Sequence, residues 1–208
     1  MDVNNLSILQ LDVLREIGNI GAGNAATSMS KLIDKRVDMK VPSVNVVTFD
    51  EMMDIVGGPE QLIVAMFFRI LGEAPGTVYF ILTIEEAETL IREITNLTEL
   101  KLLSEQPNEL AISALKEVGN IMAGSYLSAL SDFTKINMQS SIPYLSVDMA
   151  GAVLTAGLIE LSQVSDYAIV INTEISNKEA NNGLSGHFFL LPDLETIPIL
   201  FSALGINE

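Results

Sequence analysis

EIGNIGAGNAATSMSKLIDKRVDMKVP at residues 16–42 and EVGNIMAGSYLSALSDFTKINMQSSIP at residues 117–143 decide the reading of this 208-residue chain. The two stretches share Glu, Gly, Asn, Ile, Ala, Gly, Ser and Pro at matched places, each 101 residues from its counterpart, and the match extends upstream to Asp12 and Ser113. A chance motif does not keep its downstream proline in register, so the pattern points to duplication of one supersecondary unit. Two copies of one constellation imply two equivalent sites.

Working outward, Ser7 and Gln10 form a capping box, and a helical pattern runs from there to about Leu32, with Pro42 read as a turn marker beyond it. The second helix is expected from near Pro107. Strand-like segments follow each helix, Val44 to Phe49 and Ile136 to Val147, and each is succeeded by a short segment whose pattern decides nothing. Two strands then follow in each half, Leu62 to Ile70 with Thr77 to Leu82, and Tyr167 to Glu174 with Gly186 to Leu191. A helix closes each half. The first opens on the capping box Thr83 and Glu86 and runs to about Ile94; the second follows Pro192 and runs to about Leu204. The expected architecture is an α/β (α+β) fold, internally duplicated and pseudo-two-fold. It is a single domain over 1–208 made of repeats at about 7–100 and 107–206, with hairpins favouring antiparallel pairing.

Helical geometry separates the members of the repeated pattern. At about 100° per residue, Asp12, Glu16, Asn19 and Gly23 fall at about 0°, 40°, −20° and 20°, one narrow stripe, and Ser113, Glu117, Asn120 and Gly124 repeat it. Opposite lie Leu14, Ile17, Gly21, Ala25 and Leu32, matched by Leu115, Val118, Met122, Tyr126 and Phe133, the face expected to pack on a sheet. Glu and Asn therefore point outward. A lone exposed Glu, or a lone Asn in a helix, is ordinarily just a solvated residue. Repetition of both at the same spacing reverses that preference. Glycine costs a helix roughly 1 kcal/mol against alanine, so Gly23 and Gly124 at matched places suggest a surface left bare for a partner, while Gly18 and Gly119 are assigned to close helix packing.

Composition excludes several classes of function. Eleven Lys and Arg against 27 Asp and Glu give a net charge of −16, which repels nucleic acid and anionic membrane and favours a protein partner with a basic patch. Cysteine is absent, so there is neither a disulfide framework nor a thiolate metal site. No stretch reaches the roughly 18 apolar residues of a spanning helix, and the N-terminus lacks a basic, apolar leader. A cytoplasmic protein is the expectation. GNIGAG has GxxGxG spacing with no strand directly before it, unlike a phosphate-binding loop. GLSGH at 183–187 puts His187 where a nucleophile elbow needs glycine, and His187 is read as structural. No cluster of His and carboxylates has metal-ligand spacing.

Asp or Ser, three residues, Glu, two residues, Asn, twenty-two residues, Pro resembles the signature of the CheC, CheX and FliY family of bacterial chemotaxis phosphatases, and the resemblance covers nearly the whole chain. Two intact sites in about 200 residues resemble the CheC branch more than CheX, with one site, or FliY, which is longer. The resemblance implies two long helices side by side on a sheet, and hydrolysis of the aspartyl phosphate on the response regulator CheY. Asn19 and Asn120 would orient the water and Glu16 and Glu117 would dock the partner, with Asp12, Gly23, Ser113 and Gly124 at the same contact. No cofactor of its own is implied; Mg²⁺ is expected in the regulator. It also implies binding to the receptor deamidase CheD, as a monomer or a heterodimer with it, through the segment YLSVDMAGAVLTAG after Pro143, with Asp148 the named candidate. Two other roles follow from the same kinship: an adaptor that binds CheD and phosphorylated CheY without catalysis, and a component of the flagellar switch.

Overall fold

The computed structural model describes residues 6–95, 101–103, 108–161, 167–177, 183–193 and 195–206. Two 26-residue helices dominate it, α1 (Ile8–Ile33) and α4 (Glu109–Thr134), each about 39 Å long at 1.5 Å per residue. The capping box starts α1 as expected: Gln10 N donates to Ser7 Oγ at 3.3 Å, and Ser7 N donates to Gln10 Oε1 at 2.8 Å. At the head of α4, Asn108 Oδ1 accepts from Leu110 N and Ala111 N at 3.0 and 3.3 Å. Pro107, where the sequence pattern starts this helix, lies outside the described residues. Both helices end on a left-handed non-glycine residue, Asp34 and Lys135, at matched positions.

The remaining elements are β1 (Val37–Thr48), α2 (Phe49–Ile55), β2 (Leu62–Gly72), β3 (Gly76–Thr83) and α3 (Ile84–Thr95) in the first half. In the second half they are β4 (Met138–Ser140), β5 (Tyr144–Met149), α5 (Ala150–Leu161), β6 (Tyr167–Asn177), β7 (Gly183–Pro192) and α6 (Thr196–Ala203). Among the described residues the strands form one seven-stranded antiparallel sheet in the order β1-β6-β7-β3-β2-β4, with β5 also pairing β2. Exchanging the halves reverses that order onto itself, with β3 and β7 at the centre. Each half's first strand segment pairs with the other half's hairpin: β1 lies on β6, and β4 and β5 lie on β2.

Alternate strand residues supply the two faces of the sheet. Val64, Met66, Phe68 and Ile70 face a core shared with α1, α3, α4 and α6, while Ile63 and Ala65 face a smaller core closed by Met52 and Val56 of the α2 segment and by Ala150 and Leu154 of α5. The short segments left undecided by their pattern are thus helices on the second face. A capping box, Thr48 with Glu51, starts α2; Thr48 N donates to Glu51 Oε2 at 2.7 Å and holds that carboxyl below its ordinary range.

Three expectations need correction. Pro42 marks no turn: it sits inside β1, at a bulge where the pairing register shifts between Lys40 and Ser43. β1 is an edge strand, where a missing N–H costs no ladder bond. Its counterpart, Pro143, lies in the gap between β4 and β5, so Ile136 to Val147 is two strands rather than one. Leu32 and Phe133, assigned to the packing face, are 39% and 49% exposed, because the last turns bury neighbouring positions instead, Met29 on α1 and Leu130 and Thr134 on α4.

Candidate functional site

Leu14, Ile17 and Ala25 on α1, and Leu115, Val118, Met122 and Tyr126 on α4, are buried, and their burial fixes the rotation of both helices. Gly21 lets the helices meet: a Cβ there would lie 3.0 Å from Tyr126 Cα. Gly119 lets α4 settle on the sheet, since a Cβ there would lie 2.7 Å from Met66 Sδ and 2.9 Å from Phe68 Cζ. Tyr126 stacks on Phe188 with centroids 4.6 Å apart and bonds Thr173 Oγ1 through its hydroxyl at 2.9 Å; burial pushes its pKa up to about 12.

With those faces anchored, the stripes turn to solvent. Asp12, Glu16 and Gly23 are exposed and Asn19 is half-buried; Ser113, Glu117 and Asn120 are exposed and Gly124 is half-buried. A Cβ built on Gly23 or Gly124 meets nothing within 4 Å, so neither glycine is demanded by the protein's own packing. Gly18 is less constrained than Gly119, its Cβ position lying 3.4 Å from Val41 Cγ2.

Although the stripes match in position, they differ in what engages their polar groups. Asn19 Oδ1 accepts from Val41 N at 2.9 Å, and Asn19 Nδ2 donates to Val41 O at 3.4 Å and to Arg15 O at 3.1 Å. The carboxamide thus pairs with the Val41 peptide as a neighbouring strand would, at the bulge where β6 leaves that peptide unpaired. Arg15 is in turn bridged to Asp12 at 3.0 Å. At the matched position of the second half, Ile142 is 89% exposed instead of buried. The cause lies at its neighbour: Ser141 N donates to Arg69 O at 2.9 Å and Ser141 Oγ accepts from Arg69 N at 3.0 Å, which holds Ser141 on β2 and turns Ile142 outward. Among the described residues Asn120 has no side-chain hydrogen bond, and Lys116, the counterpart of Arg15, makes no ion pair. Val41 has no place in the residue-type pattern, and because both copies keep the same offset between Asn and proline, that spacing does not mark it either.

Other sequence candidates take structural places. His187 stands in β7 with Nδ1 3.0 Å from Asn172 Oδ1, and burial pushes its pKa down. Asp148 is exposed at the end of β5, where Oδ1 accepts from Met149 N at 2.8 Å. Leu145 and Val147 pack toward α1 and α4, whereas Asp148 pairs in register with Ile63 and shares its face, so it lies on the side of the sheet away from the stripes. Among the described residues, no group of three or more His, Cys, Asp or Glu could hold a metal ion, and no helix is long and apolar enough to cross a membrane.

Fold and site together define a class: a pseudo-two-fold α/β protein that presents two matched Glu–Asn stripes from paired long helices. The model of the CheC-like family matches residues 9–46 and 110–143, the long helix and following strand region of each half. The chain is 42% identical over 204 residues to a Bacillus subtilis (strain 168) protein named CheY-P phosphatase CheC, covering 98% of both. It belongs to the CheC-like family. In fold it resembles Thermotoga maritima FliY, with a TM-score of 0.73 at 19% identity over 98% of this chain and 100% of that one. The CheX-CheY-BeF3-Mg²⁺ complex from Borrelia burgdorferi aligns with a TM-score of 0.50 at 15% identity, over 83% of this chain and 96% of that one.

Proposed function

We propose that this protein hydrolyses the aspartyl phosphate of the response regulator CheY, with Asn19 and Asn120 orienting the water and Glu16 and Glu117 docking the regulator. The observation that carries this reading is the placement of each Asn on a solvent-facing stripe, one helical turn after a Glu and one turn before a bare glycine. The extensive identity to a protein named for CheY-P hydrolysis supports it.

An acyl phosphate is already reactive, and the regulator brings its own Mg²⁺ and active-site Lys, so the helper has only to place a water in line. The water oxygen bonds to phosphorus as the bond to the acyl oxygen breaks, and the regulator's carboxylate leaves. A carboxamide accepts a hydrogen bond from that water and donates one to a phosphoryl oxygen, the positioning role a Gln plays in GTPases, and the water's proton leaves on the inorganic phosphate. The neighbouring Glu pairs with the Lys and fixes the approach. One orienting group of this kind contributes on the order of 10²- to 10³-fold. Asp12, Ser113, Gly23 and Gly124 line the same contact, and no cofactor beyond the regulator's Mg²⁺ takes part.

The same reading has the protein working in the cytoplasm, as a monomer or a heterodimer with the receptor deamidase CheD. Asp148 is the proposed CheD contact, supported by its exposure on an edge strand whose Tyr144, on the same face, is also exposed. Because that surface lies across the sheet from the stripes, CheD and CheY can be held together.

A phosphate-release assay on phosphorylated CheY tests the proposal: the Asn19→Ala, Asn120→Ala double variant should lose stimulation yet still bind the regulator. Undiminished release by that variant would remove the catalytic assignment. Binding without any stimulation by the wild type would favour the adaptor reading.

A further inference from the structure

We propose that the two stripes are not interchangeable: the second is the working site, and the Val41 peptide latches the first by occupying the Asn19 carboxamide. The inference rests on the phosphatase reading, but its geometric half stands on hydrogen bonds internal to this chain.

To orient a water, an Asn must aim an oxygen lone pair and an amide N–H at the partner at the same time. Asn120 meets that condition. Asn19 does not, because its oxygen accepts from Val41 N at 2.9 Å and its nitrogen donates to Val41 O and Arg15 O. Val41 is 3% exposed, so its N–H has no ready access to water if Asn19 turns away. Leaving a buried donor unpaired in this way holds the unlatched conformation to a small fraction of the population, about one part in 10 to one part in 100. A second observation runs the same way: Arg15, beside Asn19 on the helix, is tied to Asp12 at 3.0 Å, whereas Ser113 leaves the matched Lys116 without a carboxylate and without an ion pair among the described residues. Charge near the first Asn is internally neutralised. At the second, a cation stands open to an anionic partner.

The latch also explains why the proline keeps its register in the first half. Pro42 has no N–H, and it occupies the bulge that removes Val41 from the β6 ladder and leaves that peptide for Asn19.

Two measurements on the intact protein decide the matter. In amide hydrogen exchange, the Val41 N–H should be protected in the wild type and in Asn120→Ala, and should lose protection in Asn19→Ala. In phosphate release from phosphorylated CheY, Asn120→Ala should lose about 10- to 100-fold more activity than Asn19→Ala. Asn120→Ala removes no side-chain hydrogen bond among the described residues, so its loss is not one of folding. An unprotected Val41 amide in the wild type, or equal losses from the two single variants, overturns the proposal. Failure of the wild type to accelerate release at all overturns the phosphatase reading instead, and the exchange arm then still decides whether the latch exists.

Discussion

Asn19→Ala and Asn120→Ala make the same chemical change at matched positions, yet the structure predicts opposite effects on stability. Alanine is the better helix former by about 0.5–0.7 kcal/mol, and both substitutions gain that much. At Asn120 nothing offsets the gain, because its side chain has no hydrogen-bond partner among the described residues. At Asn19 the substitution strips the Val41 N–H of its acceptor at 2.9 Å, in a residue 3% exposed. An orphaned buried donor costs about 1–3 kcal/mol. Asn19→Ala should therefore destabilise by a net ~1–2 kcal/mol, and Asn120→Ala should be neutral or stabilise by ~0.5 kcal/mol. In a domain of this size 1 kcal/mol corresponds to about 2–4 °C, so the melting temperatures should separate by roughly 3–10 °C in that order. Urea unfolding followed by circular dichroism provides the independent check, with unchanged m-values. Equal shifts for the two variants would refute the reasoning, since the only difference invoked is the pairing of Asn19 with Val41.

Three further outcomes follow from the same geometry. Gly23→Ala and Gly124→Ala should each raise stability by up to about 1 kcal/mol, because a Cβ there meets nothing within 4 Å, yet Gly124→Ala should lower stimulated phosphate release more than Gly23→Ala; thermal melts and release assays on the same samples check the pair. Tyr126→Phe should flatten the alkaline loss of stability. The Tyr126 hydroxyl, raised to about 12 in the fold against an ordinary value near 10, ionises first in the unfolded chain, so its contribution is intact below about pH 10 and is lost as pH rises toward 12, a change of roughly 2–3 kcal/mol readable by denaturant titrations at pH 8 to 12. Asp148→Arg should weaken CheD binding by about tenfold or more and leave phosphate release unaltered, because Asp148 lies across the sheet from the stripes; calorimetric titration with CheD is the measurement, and unchanged affinity removes Asp148 from the contact.

Much of the architecture was legible because its signals are local. Ser7 with Gln10 and Thr83 with Glu86 are capping boxes whose partners lie three residues apart, and both helices begin where those boxes stand. The stripes were legible for a similar reason: helical spacing alone puts Glu16 and Asn19 on one face, and burial of Leu14 and Ile17 on the other face turns that stripe outward. What escaped depends on partners distant in the chain. β1 starts at Val37, well before its apolar run at Val44, because β6 pairs it from Asn177 onward. Pro42 reads as a turn in sequence because proline rules describe what a residue lacks, and only the edge position shows that nothing needs its N–H. Leu32 and Phe133 follow the ideal helical period, but the last turns bury Met29, Leu130 and Thr134 instead. Thr48 and Glu51 carry a local box for α2. The engagement of Asn19 by Val41 could not be read at all, since the two copies have the same spacing and differ only in whether the following segment folds back onto the helix.

The central claim, that a helical Asn of the stripes directs water onto an acyl phosphate held by the partner, is tested most directly by the decay rate of phosphorylated CheY in the presence of saturating protein. With wild type the account predicts acceleration on the order of 10²- to 10³-fold over the regulator alone, and with Asn19 and Asn120 both replaced by alanine it predicts return to the unassisted rate while the complex still forms. Decay that stays fast in the double variant would contradict it.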